Sequence, residues 1–199
     1  MIKSSLLLIC TIFVSFQNVY SQMDDFGGLL GSCVEPGIST NGSVYGDIDG
    51  KWYTHWVLGK YSPLKFFQCQ SNKIDVKTQD PKVISRFAIT AIPYSFEWYG
   101  NVKPLNTSQG EYTFNYDTVL GYIPQKTAFL RNYSAGAALL WTCLDFQVFH
   151  FESILVMTKY QDPTDPHIDD KIYQDMENTL KKSGISPKSF VKIDQYNCN

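Results

Sequence analysis

The cysteines and histidines of this 199-residue chain are few, and their spacing limits what chemistry they can do. Of the five cysteines, Cys10 lies in an apolar N-terminal run, while Cys33, Cys69, Cys143 and Cys198 are spread through the remainder with no C-x-x-C pair. The histidines, His55, His150 and His167, stand in no metal-ligand spacing, so no metal is expected. His150 and Glu152 share a face if they lie on a strand and could form an acid–base pair, although a histidine satisfied by its neighbours is the more ordinary reading. Asp162, Asp165, Asp169 and Asp170 lack the spacing of an EF-hand loop and suit the start of a helix instead. The sequence contains no G-x-S-x-G, H-E-x-x-H or glycine-rich phosphate loop. What it has in quantity is aromatic rings. Tyr94, Phe96 and Trp98 alternate with Ser95 and Glu97, and Tyr112, Phe114 and Tyr116 alternate with Thr113 and Asn115, so each set shares one face of a strand. Facing a common interior, such rings either fill a core or grip an apolar ligand.

The N-terminus carries Lys3, then the apolar run from Leu6 to Val14, then Val19-Tyr20-Ser21. This pattern reads as a secretory signal peptide, residues 1–21, because the run falls short of the roughly 20 apolar residues a spanning helix needs. Cleavage leaves 22–199 as a single domain. Cys10 departs with the leader, and the four remaining cysteines of an exported chain form two disulfides, with three pairings open. Three N-x-[ST] sequons, at Asn41, Asn106 and Asn132, agree with export and place glycans on turns. With net charge -2, 44% hydrophobic, 15% aromatic and 18% charged residues, the chain has the composition of a well-filled globular domain. Its basic residues are dispersed, which leaves no electrostatic footprint for nucleic acid or anionic membrane. No later stretch suits a membrane span, and nothing specifies an oligomer.

From Asp49 to Thr158 short runs of aromatic and β-branched residues are separated by Gly, Pro and Asn. Eight strands are predicted, over 51–58, 67–77, 83–92, 94–102, 111–116, 126–131, 137–146 and 149–159, the rhythm of an all-β sandwich or barrel. Ile168, Ile172, Met176 and Leu180 then recur at helical spacing, with Asp165-Pro166 at the start and Lys181, Lys182 and Gly184 at the end. A short strand is predicted within 190–193.

Local motifs narrow the choice of fold. Gly50-Lys51-Trp52-Tyr53 opens the first strand shortly after Gly31-Ser32-Cys33-Val34-Glu35-Pro36. Phe129-Leu130-Arg131-Asn132-Tyr133 ends a late strand, and Ile154 to Lys159 forms the last. The carboxyl end reads Leu180-Lys181-Lys182-Ser183-Gly184-Ile185 and then Val191 to Cys198. Together these segments resemble the lipocalins, in particular apolipoprotein D-like and insect bilin-binding members. The resemblance implies an eight-stranded antiparallel up-and-down β-barrel with one C-terminal helix and a short final strand. Gly50 would begin the first strand, Trp52 would plug the base with Lys159 over its indole, and Tyr133 would occupy a conserved turn motif of the family. Lysine replaces the family's arginine at 159, and Asn132 stands where an aspartate is usual. The implied disulfides are Cys33–Cys143 and Cys69–Cys198, which would leave no thiol as nucleophile. The implied function is that of a secreted carrier, holding a bilin, carotenoid, retinoid, sterol or fatty acid without a covalent bond. Trp56, Tyr94, Phe96, Trp98, Tyr112, Phe114, Tyr116 and Trp141 are the candidate lining residues. A lipocalin-fold enzyme acting on a lipid or pigment, and a protein-binding lipocalin with a filled barrel, are the alternatives.

Overall fold

The computed structural model of the chain describes residues 31, 33, 45–89, 94–106, 109–118, 121–146, 148–161, 168, 170–196 and 198. The alternating runs form β1 (Gly50–Leu58), β2 (Phe67–Asp75), β3 (Lys82–Ile89), β4 (Ser95–Asn106), β5 (Glu111–Thr118), β6 (Gly121–Tyr133), β7 (Ala137–Asp145) and β8 (His150–Thr158). Each pairs antiparallel with the next, and β1 pairs with both β8 and β2, so the sheet closes into an up-and-down barrel. In such a meander the β1–β2, β3–β4, β5–β6 and β7–β8 connections gather at one end, the mouth. The other three lie at the opposite, closed end.

Of the strands that run further than the sequence pattern predicts, two do so through a proline. β4 continues past Pro104, and β6 begins before Pro124. Pairing with β3 stops at Asn101, and pairing with β7 starts only at Gln125. Each proline therefore sits where its strand has one free edge, and the missing N–H removes no ladder bond.

Alternation sorts the apolar residues into two layers. Trp52, Val57, Ile74, Val83, Val102, Tyr112, Phe114, Tyr116, Phe129, Leu140 and Met157 pack together inside the barrel. Leu58, Leu130, Leu139, Trp141, Ile154 and Val156 pack on its outer wall beneath a single helix, α1 (Asp170–Lys182), through Met176 and Leu180. Ile168 and Ile172 join the same cluster, completing the predicted stripe. The helix begins at Asp170; Asp162, Asp165, Pro166 and Asp169, on which a longer N-terminal turn was expected, lie outside the described residues. It stops at Gly184, whose φ of +73° suits glycine, with the Ile185 amide donating to the Leu180 carbonyl at 3.0 Å. Arg131 approaches Asp175 at 3.6 Å and the Tyr133 phenol donates to the same carboxylate at 2.5 Å, fastening the helix to β6.

The closure between β1 and β2 is short. Their register runs only from Gly50↔Ile74 to Tyr53↔Ser71, after which bulges at Thr54/Trp56 and Gln68/Ser71 let the strands diverge. The C-terminal segment fills this seam. β9 (Val191–Lys192) pairs with Val57 and Trp56 of β1, the Ile193 amide donates to the His55 carbonyl at 2.8 Å, and the Cys69 amide donates to the Asp194 carbonyl at 2.8 Å. Ile193 packs with the interior cluster. The buried Gln195 amide then donates to the Thr54 and Gln70 carbonyls, at 2.7 and 2.9 Å, tying the two diverging edges together. Replacing Gln195 by leucine leaves both buried carbonyls without that donor. The expected cost is about 2 to 3 kcal/mol, read as a lower denaturant midpoint at unchanged slope; a loss below about 0.5 kcal/mol would mean water replaces the amide freely.

Both disulfides are those the resemblance implies, Cys33–Cys143 and Cys69–Cys198, spanning 110 and 129 residues. The first fixes the segment preceding the barrel to the outer face of β7, and the second fixes the seam strap to β2. Of the sequons, Asn41 lies outside the described residues and Asn106 ends β4. Asn132 is not on a turn: it lies within β6, half-buried and in register with the interior residue Ala138.

Candidate functional site

The barrel interior is divided along its axis. Its closed half is solid. Trp52, fully buried, donates from Nε1 to the Ile48 carbonyl at 2.8 Å and meets the Phe129 ring edge-on at 6.1 Å, while Lys159 Nζ lies 5.0 Å from the indole centroid on the outside. The Lys159 amide donates to the Gly136 carbonyl in the β6–β7 turn, which fixes the base of the lysine stem. This is the seal expected of Gly50, Trp52 and Lys159. Above it Tyr112 and Phe114 fill the next layer, with Tyr112 edge-on to Phe129 at 5.9 Å.

The mouth half contains a cavity of about 60 Å3. That is room for a few water molecules. One wall is an arc of rings: Phe67 to Phe87 at 4.5 Å, Phe87 to Trp98 at 5.1 Å and Trp98 to Tyr116 at 5.7 Å. Leu144 and Leu155 line it as well, and Leu64 packs against the interior cluster from a short 3-10 turn, Pro63–Phe66, in the β1–β2 connection. Gln70 holds that turn down by donating to the Leu64 carbonyl at 2.5 Å and to the Phe67 carbonyl at 3.0 Å, and Ser153 donates to Ser62 at 2.6 Å.

Polar groups are concentrated on one side of the cavity. Ser85 Oγ donates to the Asn72 side-chain carbonyl, and the Tyr116 phenol lies 2.7 Å from the same hydroxyl. A hydroxyl has one proton, so with Ser85 donating to Asn72 the phenol donates to Ser85. Burial pushes the Tyr116 phenol far above its ordinary pKa, so the group stays neutral. Arg86 is the sole charged side chain among the lining residues. The lining is thus mostly apolar with one neutral hydrogen-bonding cluster, the chemistry that suits an apolar molecule with one uncharged polar end.

The expected lining residues separate into three groups. Tyr112, Phe114 and Tyr116 face the interior and are buried, and Trp98 lines the cavity. Phe96 stacks on Phe87 at 5.8 Å at the mouth, and Tyr94 is exposed there. Trp56 and Trp141 are outside the lumen: both belong to the layer between barrel and helix, because the bulge at His55 turns Trp56 outward and Trp141 shares its face with Leu139 and Cys143. Residues the sequence did not single out, Leu64, Phe67, Gln70, Asn72, Ser85 and Phe87, do line the cavity.

His150 and Glu152 do approach each other, at 3.6 Å, but on the outer wall. Both are buried there, and His150 Nδ1 lies 2.8 Å from the Gly31 carbonyl. The pair anchors the N-terminal segment and has no access to the cavity. All four described cysteines are bridged, which removes a thiolate from the lumen.

No protein-family model and no curated protein sequence matches the chain. Solved structures do. Insecticyanin from the tobacco hornworm Manduca sexta superposes with a TM-score of 0.63 at 16% identity, over 86% of this chain and 89% of that one. Apocrustacyanin C2 gives 0.62 at 14% identity, over 88% and 94%, and the cockroach allergen Per a 4 gives 0.61 at 18% identity, over 82% and 94%. The chain has the lipocalin fold: a closed eight-stranded barrel followed by one helix, with an extra strand bonded to its outside.

Proposed function

We propose that this protein is a secreted carrier that holds a small apolar ligand in the mouth half of its barrel. The observation that carries the reading is the cavity itself: a wall of Phe67, Phe87 and Trp98 on one side, Leu144 and Leu155 among its other lining residues, and a neutral Asn72–Ser85–Tyr116 polar group beside them. A flat or elongated ligand of the bilin, carotenoid, retinoid, sterol or fatty-acyl type enters by displacing Leu64 and the Pro63–Phe66 turn, and its polar end meets the hydroxyl pair. Burial of apolar area at about 25 cal/mol per Å2, less the cost of immobilisation, supports micromolar binding or better. The apolar leader-like run at Leu6–Val14 and the two disulfides support export.

Titrating the purified protein with one ligand of each type while following tryptophan fluorescence tests the proposal, alongside mass spectrometry of whatever an organic solvent extracts from protein made in its native source. At least one ligand is expected to bind, and Trp98→Ala to weaken it roughly tenfold to a hundredfold by removing an aromatic wall. One observation favours the filled-barrel alternative, the small size of the present cavity. An empty extract together with no binding by any ligand type would decide for it.

A further inference from the structure

The four mouth connections come from distant parts of the sequence, and the fold collects an unusual set of side chains on them. Tyr122 is 75% exposed, Val148 72%, Tyr94 67%, Phe96 39% and Phe66 38%. They stand at the starts of β6 and β4 and in the β1–β2 and β7–β8 connections, so they ring the opening of the lumen. Lys60 and Lys65 are the charged residues of the described mouth connections, and at the strand ends beside them stand Asp117, in register with Tyr122, and Asp145, in register with His150. At the closed end the β2–β3 connection presents exposed Lys77, Thr78, Gln79 and Asp80 instead. The other large exposed apolar or aromatic side chains, such as Tyr99, Leu105 and Tyr173, stand singly on the walls, the closed end and the helix.

We propose that the mouth rim docks on a lipid bilayer. Separate tips around an opening offer no groove for a peptide or helix. Tyrosine and phenylalanine flanked by lysine is the composition that settles at a membrane interface, where rings sit among headgroups and lysines meet lipid phosphates. The dispersed basic residues give no such signal in sequence, because the feature is local to one end of the barrel. Docked this way, the lumen faces the bilayer, and an apolar ligand passes between membrane and barrel without crossing water. That last consequence rests on the carrier reading; the docking itself does not.

The test is co-sedimentation of the chain from Gln22 onward, which contains every described residue, with vesicles of phosphatidylcholine alone or mixed with phosphatidylserine. Binding to both is expected. The double substitution Tyr122→Ser/Val148→Ser is expected to weaken it roughly tenfold or more, and Lys60→Gln and Lys65→Gln to weaken it about fivefold each on the phosphatidylserine vesicles only. Leu105→Ser, at the closed end, should leave binding unchanged. The rim side chains are exposed, so these variants keep the fold, which circular dichroism checks. Absence of wild-type binding overturns the proposal, as does equal binding by the rim variant. A wild-type dimer that the rim variant converts to monomer also overturns it, since a second copy would then be the occupant. Running the ligand titration on the same variants separates the two proposals: ligand binding without vesicle binding ends the docking alone.

Discussion

Trp52→Ala is expected to lower folding stability by about 3 to 5 kcal/mol, a large fraction of the roughly 5 to 15 kcal/mol that holds a typical domain folded. Three losses add at this position. The indole is buried at the closed end, so its removal leaves a void bounded by Phe129 and the first-strand backbone, which the closed barrel cannot collapse to fill. The Ile48 carbonyl loses its donor at 2.8 Å. Lys159, 5.0 Å from the ring centroid, loses the aromatic face that orders its ammonium. Trp52→Phe narrows the terms, because it keeps an apolar ring while removing the N–H and only part of the buried volume; about 1 to 3 kcal/mol should go with it. Urea unfolding of the three proteins is the measurement. If Trp52→Ala cost less than about 1 kcal/mol, the barrel floor would not be the rigid seal described, and the solid closed half would lose its physical basis.

How much of this was readable in the sequence depended on whether a strand meets water. On β5 the alternation of Tyr112, Phe114 and Tyr116 with polar neighbours gave the inward face correctly, because the outer face of that strand is solvated. On β7 every residue from Ala137 to Leu144 is buried, one face against the lumen and the other against the helix, so the alternation vanishes. Residue type then cannot say which way Trp141 points, and it points outward. Trp56 failed for a different reason: a one-residue bulge at His55 shifts the parity of β1, and bulges leave no trace in hydrophobic pattern. Asn72 and Ser85 were missed because a polar residue on a strand reads as solvent-facing, whereas these two satisfy one another inside the barrel. Phe87, in phase with Val83 and Ser85, could have been found by extending the period-two reading to β3, whereas Phe67 is out of phase with Asn72 and Ile74 because a second bulge lies between Gln68 and Ser71. The mouth rim was hidden by topology, since its members are separated along the chain and meet only when the meander closes.

Removing the Cys69–Cys198 bridge by a double Cys→Ala substitution should produce the second large effect, and a localised one. Loop entropy over a 129-residue span amounts to about 5 kcal/mol in the chain-entropy treatment. The bridge over 110 residues, Cys33–Cys143, has nearly the same length term, so global stability alone cannot distinguish them. Their positions can. Cys198 ends the strap that fills the seam between β1 and β2, and that strap is otherwise held by β9, Ile193, Asp194 and Gln195. Without the bridge the strap can detach while the four register pairs from Gly50↔Ile74 to Tyr53↔Ser71 keep the lower barrel closed. Hydrogen exchange should therefore accelerate at the Ile193 and Cys69-position amides, which donate to His55 and Asp194, and stay slow in the β6–β7 ladder. Removing Cys33–Cys143 should leave the seam amides protected. Uniform acceleration across the sheet in the Cys69–Cys198 variant would show instead that the strap and barrel unfold as one unit, and that the seam is not a separate element of the wall.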